Sequence, residues 1–278
     1  MHSTQASTVV NPMVRGLKPS ATLAVNERSA ALKAAGRDIF KLGLGQSPFP
    51  VPAPVIAALE SNAHQKDYLA VQGLAPLRSA IADWHQRRDG LSVSADGVMI
   101  GPGSKELMFL VQLVHDSVLT LPNPSWVSYA PQASIMGKPV EWIDTDPDQG
   151  WRLSADALDA ACRRTPGQRR LLILNYPNNP TGMTYPEDEL TALAEVARRH
   201  GVVIVSDEIY GELNHNGDHR SIASVYPEGT IISSGISKWC GAGGWRLGYF
   251  IFPEALRPLL SACNAVASET FTSVSAPI

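Results

Sequence analysis

Lys238 has the surroundings of a reactive group. It stands in the run SSGISKWCGAGGWRLGY from Ser233 to Tyr249, among small residues and glycines, eight positions before Arg246. A lysine amine is a poor nucleophile while protonated, so a reactive one needs partial desolvation or a nearby cation. Arg246 could supply that charge. It could also hold a phosphate, because its planar fork binds phosphate oxygens bidentately and flanking glycines let ligand and backbone approach closely. A reactive amine beside a phosphate anchor suggests pyridoxal phosphate. Taken alone, a lysine in a glycine-rich turn is more often a solvated surface group, so the elements around it must decide.

Two upstream segments add side chains that suit such a site. In RLLILNYPNNPTG, Arg170 to Gly182, an apolar run that reads as a buried strand ends in Asn, Pro and Gly residues that force a turn. In VVIVSDEIYGE, Val202 to Glu212, a β-branched run reads as a buried parallel strand that delivers Asp207 and Tyr210 just past its end. The carboxyl edge of an open α/β sheet is where ligands sit. A third segment, GPGSKE, ends a strand at a turn through Gly103, and the amides of Ser104 and Lys105 then open a helix whose N-terminus favours an anion. Neither a Walker lysine motif nor G-x-G-x-x-G is present, so a nucleotide phosphate is not indicated.

The rest of the chain supplies the frame. Ser20 is placed to cap a helix running to a stop at Gly36, IFKLGLG (39–45) reads as a short strand, and QSPFPVPAP is too proline-dense for regular structure. Helices are expected at 53–62 and 74–88. From Val98 the pattern alternates: strand VMIG, helix 104–115, strand VLTLP, helix 125–136, strand PVEWI, a helix from Ser154, and the strand ending at Asn175. Thr184 with Glu187 reads as a capping box for a helix through His200, followed by strands at Val202, Ile231 and 248–252. This alternation predicts an α/β fold, a mostly parallel doubly wound sheet with helices on both faces.

In combination NNPTG, SDEIY and SK followed by GWRLGY resemble, in order and spacing, the class I/II aminotransferases. These form the aspartate aminotransferase-like, fold-type I family of pyridoxal phosphate enzymes, and the resemblance runs from about Pro19 to the last residue. It implies that Lys238 forms the Schiff base with pyridoxal 5'-phosphate and afterwards moves the substrate's α-proton, and that Asp207 pairs with the pyridine nitrogen. Tyr210 and Asn179 then bond the ring's phenolic oxygen and Trp126 stacks on its face. Gly103, Ser104, Lys105, Ser237 and Arg246 hold the phosphate, while Gly45 and Asn179 meet the substrate carboxylate. One position departs from the family pattern: Gly235 stands where relatives often have a phosphate-binding serine. Tyr68 matches a tyrosine that reaches the neighbouring subunit's phosphate, which implies a homodimer with shared sites.

The implied organisation is an N-terminal arm and helix over 1–45 and a large cofactor-binding domain over 46–278. The small C-terminal domain would be missing, and with it the arginine that grips the substrate α-carboxylate. The implied reaction moves an amino group between an L-amino acid and a 2-oxo acid such as 2-oxoglutarate. Its alternatives are a carbon–sulfur β-lyase on the same scaffold and a cofactor-binding protein without catalysis.

Composition narrows the classes. With 278 residues, 44% hydrophobic and a formal charge of −3, the chain is long enough for one large domain and carries no basic excess for nucleic acid. The pairs Arg163-Arg164, Arg169-Arg170 and Arg198-Arg199 are expected near helix ends, without interleaved aromatics. No apolar run reaches the roughly 20 residues that cross a bilayer, and the start lacks a signal peptide's apolar region, so a cytoplasmic protein is expected. Cys162, Cys240 and Cys263 have no metal-ligand spacing and read as free thiols. His215 and His219 flank a turn through Asn216 and Gly217, and read as exposed loop histidines rather than a metal site.

Overall fold

The computed structural model describes residues 9–40, 42–43 and 45–270. Among the described residues seven strands form one sheet: β1 Val98–Gly101, β2 Val118–Asn123, β3 Val140–Asp144, β4 Arg170–Asn175, β5 Val203–Asp207, β6 Thr230–Gly235 and β7 Gly248–Ile251, in the order β1-β7-β6-β5-β4-β2-β3. The pairings among β2 to β6 are parallel, and β7 runs antiparallel to both β6 and β1. The helices are α1 Ala21–Ala34, α2 Ala53–Asn62, α3 Ala75–Asp89, α4 Ser104–Val114, α5 Tyr129–Ile135, α6 Ala155–Arg164, α7 Glu187–His200 and α8 Arg257–Thr270.

Successive strand side chains point to opposite faces, and β4 shows how this builds two cores. Leu171 and Ile173 join Leu107, Leu110 and Val111 of α4 and Leu260 of α8 on one face. Leu172 and Leu174 join Leu158 of α6 and Leu190 and Leu193 of α7 on the other. Toward the β1 edge, Ile81 of α3 packs on Ile100, Ile232 and Ile251. With both faces covered, the central strands must be apolar throughout, which is why β4 and β5 carry near-continuous hydrophobic runs.

The register matters most for function. Asn175 of β4 lies opposite Asp207 of β5, and Asp207 lies opposite Ser233 of β6. Three polar side chains therefore stand in one row at the carboxyl edge. Beyond them a glycine row continues, with Gly248 opposite both Gly235 and Gly101.

Several sequence expectations shift. Among the described residues of 39–45 no strand forms, and Phe40 and Leu42 are 83% and 91% exposed; Lys41 and Leu44 lie outside the described residues. Ser20 occupies the N-cap position of α1 without a capping hydrogen bond. The box at Thr184 and Glu187 does not close, because α7 starts from Pro186, whose ring already fixes an entry conformation, and three acids, Glu187, Asp188 and Glu189, face its positive end. The helix predicted from 125 begins at Tyr129, because Ser125 turns its hydroxyl back to the Pro122 carbonyl at 2.6 Å. Arg170 is no helix-end cation: it opens β4 with a side chain 2% exposed and pairs with Glu141 at 2.9 Å.

Candidate active site

At the carboxyl edge of β4, β5 and β6 lies a cavity of about 470 Å³. It is lined by Lys238, Asp207, Tyr210, Asn179, Trp126, Ser104, Lys105, Ser237, Arg246 and Gly45, so ten residues singled out from sequence meet in one place.

The turn after β4 aims Asn179. The Asn175 side chain accepts the Asn179 amide at 2.7 Å and donates to the Asp207 carbonyl at 2.8 Å, tying the two strand ends together. The Asn179 side-chain nitrogen then lies 3.4 Å from the Tyr210 hydroxyl. Asp207 is 4% exposed. Its carboxylate accepts from the Tyr129 hydroxyl at 2.6 Å, the Ser233 hydroxyl at 3.3 Å and the Ile209 amide at 3.4 Å. Burial pushes its pKa up to about 6, with these hydrogen bonds opposing the rise and the neighbouring Glu208 charge adding to it. Burial and the Asp207 charge together hold the Tyr129 phenol well above its ordinary range.

Lys238 follows β6 in the loop leading to β7. Its Nζ lies 5.5 Å from the centre of the Tyr210 ring and donates to the Gly45 carbonyl at 3.3 Å. Lys105, also in the lining, has its Nζ 5.4 Å from the Trp126 ring centre, and Trp126 meets Tyr129 edge to face at 5.2 Å. Arg246 adopts φ 58°, left-handed backbone that costs an L-residue about 1–3 kcal/mol and that clusters at ligand sites. Its guanidinium donates to the Gly243 and Pro102 carbonyls at 2.8 and 3.1 Å, which brings it beside the start of α4.

Glycines make that approach possible. A Cβ on Gly103, itself at φ 92°, would collide with the Arg246 guanidinium, and a Cβ on Gly248 would collide with the Ser104 amide. The departure at Gly235 has the same cause. A Cβ there would come within 2.7 Å of the Leu247 carbonyl, so the tight β6–β7 crossing excludes a serine.

These residues fit a pyridine aldehyde bearing a phosphate. The α4 amides and Arg246 supply an anion cradle. Asp207 supplies a buried carboxylate whose hydrogen bonds come from neutral donors, and Lys238 supplies an amine lining the same cavity. Among the described residues no group of three His, Cys, Asp or Glu side chains could hold a metal, and no helix is long and apolar enough to cross a membrane.

Three contributors lacked a sequence signal. Tyr129, Asn175 and Ser233 reach Asp207 only through the sheet register and the docking of α5; an aromatic three residues after Trp126 was their nearest trace. Tyr68 does not line this chain's own cavity and is 87% exposed, and its expected reach to a neighbouring subunit involves no contact within one chain. One expectation falls elsewhere. His219 is no exposed loop histidine: its side chain is 6% exposed and donates to Glu208 at 3.0 Å. His215 is exposed as expected.

The sequence profile of the family "aminotransferase class I and II" matches residues 37–278. The aspartate/prephenate aminotransferase of Thermus thermophilus is 36% identical over 266 residues, covering 94% of this chain and 67% of that protein. The aspartate aminotransferase of Geobacillus stearothermophilus is 35% identical over 270 residues, covering 94% and 68%. Among solved structures, Thermus thermophilus aspartate aminotransferase with maleate superposes with a TM-score of 0.88 at 34% identity, covering 95% of this chain and 69% of that one. The Rhizobium meliloti aspartate aminotransferase gives 0.86 at 29% identity, covering 95% and 67%. The fold and the cavity define a pyridoxal phosphate enzyme of the transferase type. The chain belongs to the class I and II aminotransferase family, and it spans about two thirds of the length of these relatives. Its cofactor is pyridoxal 5'-phosphate, and its activity is amino-group transfer involving an amino acid and a 2-oxo acid.

Proposed function

We propose that the cavity performs this transfer with Lys238 as the group that holds the cofactor aldehyde and then shuttles a proton at the substrate α-carbon. The observation that carries the reading is the meeting of Lys238, Asp207 and Arg246 around one cavity. The bound cofactor supplies an electron sink for the charge left when the α-carbon loses its proton. Asp207 would hold the ring nitrogen in its protonated form. A cation there would give the buried carboxylate a counter-charge and draw its pKa back down from about 6.

Tyr210 and Asn179 donate to the ring's phenolic oxygen, and Trp126 closes one ring face. Ser104, Lys105, Ser237 and Arg246, spaced by Gly103, take the phosphate. Gly45 and Asn179 meet the substrate carboxylate. The amino donor is a dicarboxylic amino acid, in keeping with the names of the relatives. Tyr68, exposed in the single chain, completes the site of a second copy, so the active form is a homodimer. The arm through residue 45 and the cofactor-binding body from residue 46 are the working division. The same reading puts the enzyme in the cytosol, where Cys162, Cys240 and Cys263 stay free thiols.

Aspartate with 2-oxoglutarate is expected to turn over against a panel of amino acids, yielding oxaloacetate and glutamate. Pyruvate and ammonia released from a cysteine conjugate without any oxo acid would replace this reading with that of a β-lyase.

A further inference from the structure

The turn that carries Tyr210 is held from behind by a buried histidine that the transfer reaction does not use. Glu208 to Gly211 form the turn, closed by the Gly211 amide donating to the Glu208 carbonyl at 2.8 Å. Tyr210, its third residue, points into the cavity, whereas the Glu208 side chain is buried away from it at 2% exposure. One Glu208 oxygen accepts from the Ser206 and Ser221 hydroxyls at 2.8 and 2.5 Å. The other accepts from His219 Nε2 at 3.0 Å and faces Arg88 of α3 at 3.6 Å.

His219 touches both ends of this turn. Besides Glu208, its ring lies against Gly211, where a Cβ would stand 3.1 Å from the imidazole, and its other side packs on the Tyr176 ring at 5.4 Å. The remaining ring nitrogen, Nδ1, is buried without a partner. The ring is therefore oriented by its Nε2 hydrogen bond and by packing against Gly211 and Tyr176. Arg88 in turn pairs with Asp89 and Glu212, and Asp89 with His85, which anchors the network to α3 and, through Tyr249, to β7. Although burial favours the neutral acid, the His219 hydrogen bond, Ser221 and the Arg88 charge hold Glu208 below the ordinary carboxylate range, so it sits in the clamp as a carboxylate.

We propose that His219 is a positioning residue: by bridging Glu208 and Gly211 it fixes the turn that aims the Tyr210 hydroxyl at Asn179 and the bound cofactor. The inference rests on the reading of Tyr210 given above. It makes His219 act through Tyr210 alone, so the two side chains form one energetic unit rather than two independent contributions.

A double-mutant cycle on cofactor affinity tests this, read by equilibrium titration of the cofactor-free protein with pyridoxal phosphate, with melting temperature recorded for every variant. Tyr210→Phe is expected to weaken binding about tenfold, the size of one hydrogen bond to a charged oxygen. His219→Leu is expected to weaken it similarly, and the double variant no further. His219→Gln, which can place a donor near Nε2, is expected to stay within about twofold of the parent, a control for simple loss of folding. Losses that multiply in the double variant, or a His219→Leu protein that binds as the parent does, overturn the inference. An unaffected Tyr210→Phe protein overturns the reading of Tyr210, and the inference with it.

Discussion

Asp207 and Glu208 are neighbours in sequence, both acids, and almost wholly buried, yet the two sides of the β5 end treat them oppositely. On the cavity side Asp207 receives only neutral donors, Tyr129, Ser233 and the Ile209 amide, and its pKa is pushed up to about 6 by burial. On the far side Glu208 receives His219 and Arg88 and is held below its usual range. A buried carboxylate is costly unless a cation accompanies it. Glu208 has its cation built into the fold, whereas no cation among the described residues pairs with Asp207, the opening that the proposed pyridine nitrogen would fill. That difference separates a structural acid from a functional one where composition and burial cannot.

The comparison can be broken most severely at Asp207 itself. Asp207→Ala is expected to lower turnover by about 10³-fold, roughly 4 kcal/mol of transition-state stabilisation, with little loss of melting temperature. A variant that lost its fold along with its activity would make Asp207 structural after all. On the other side, Glu208→Ala leaves Arg88 and His219 without their shared partner. It is expected to cost about 3 kcal/mol in urea unfolding of the cofactor-free protein.

The pKa of Asp207 sharpens the contrast. Its folded-state value lies above the ordinary 3.8, so the fold favours the protonated acid. The resulting cost is absent below about pH 4, grows as pH rises through about 6, and is complete above that. Asp207→Asn removes it. The cofactor-free variant is expected to match the parent near pH 4 and to exceed it at pH 8, by up to roughly 3 kcal/mol. Paired melting curves at the two pH values check the sign. The smallest effect is expected at Tyr129→Phe, which removes the shortest hydrogen bond to Asp207. Cofactor affinity should weaken by about 2 kcal/mol, and the Asp207 titration should move further up.

Much of this site was legible as sequence. Lys238, Arg246, Asp207, Tyr210 and Asn179 sit in short motifs whose turn residues and strand runs dictate local geometry, so their convergence on one sheet edge followed from the α/β alternation. The partners of Asp207 were not legible, because Tyr129 and Ser233 lie 78 and 26 residues away in sequence and meet it only through helix docking and strand register. His219 looked like a loop residue because its neighbours Asn216 and Gly217 form a turn. Only the tertiary fold shows Tyr176 and Gly211 enclosing its ring. Local signals also misled in two places. The apolar segment 39–45 found no strand partner among the described residues, and Pro186 took the cap that Thr184 would have filled.

A covalent bond between the cofactor and Lys238 is what the proposed chemistry requires first. Borohydride reduction of protein loaded with pyridoxal phosphate, followed by proteolysis and peptide mass mapping, reads it directly. The expected result is one modified peptide, containing Lys238, and none from a Lys238→Ala variant. Modification at Lys105 instead, or persistence of the label in that variant, would contradict the account.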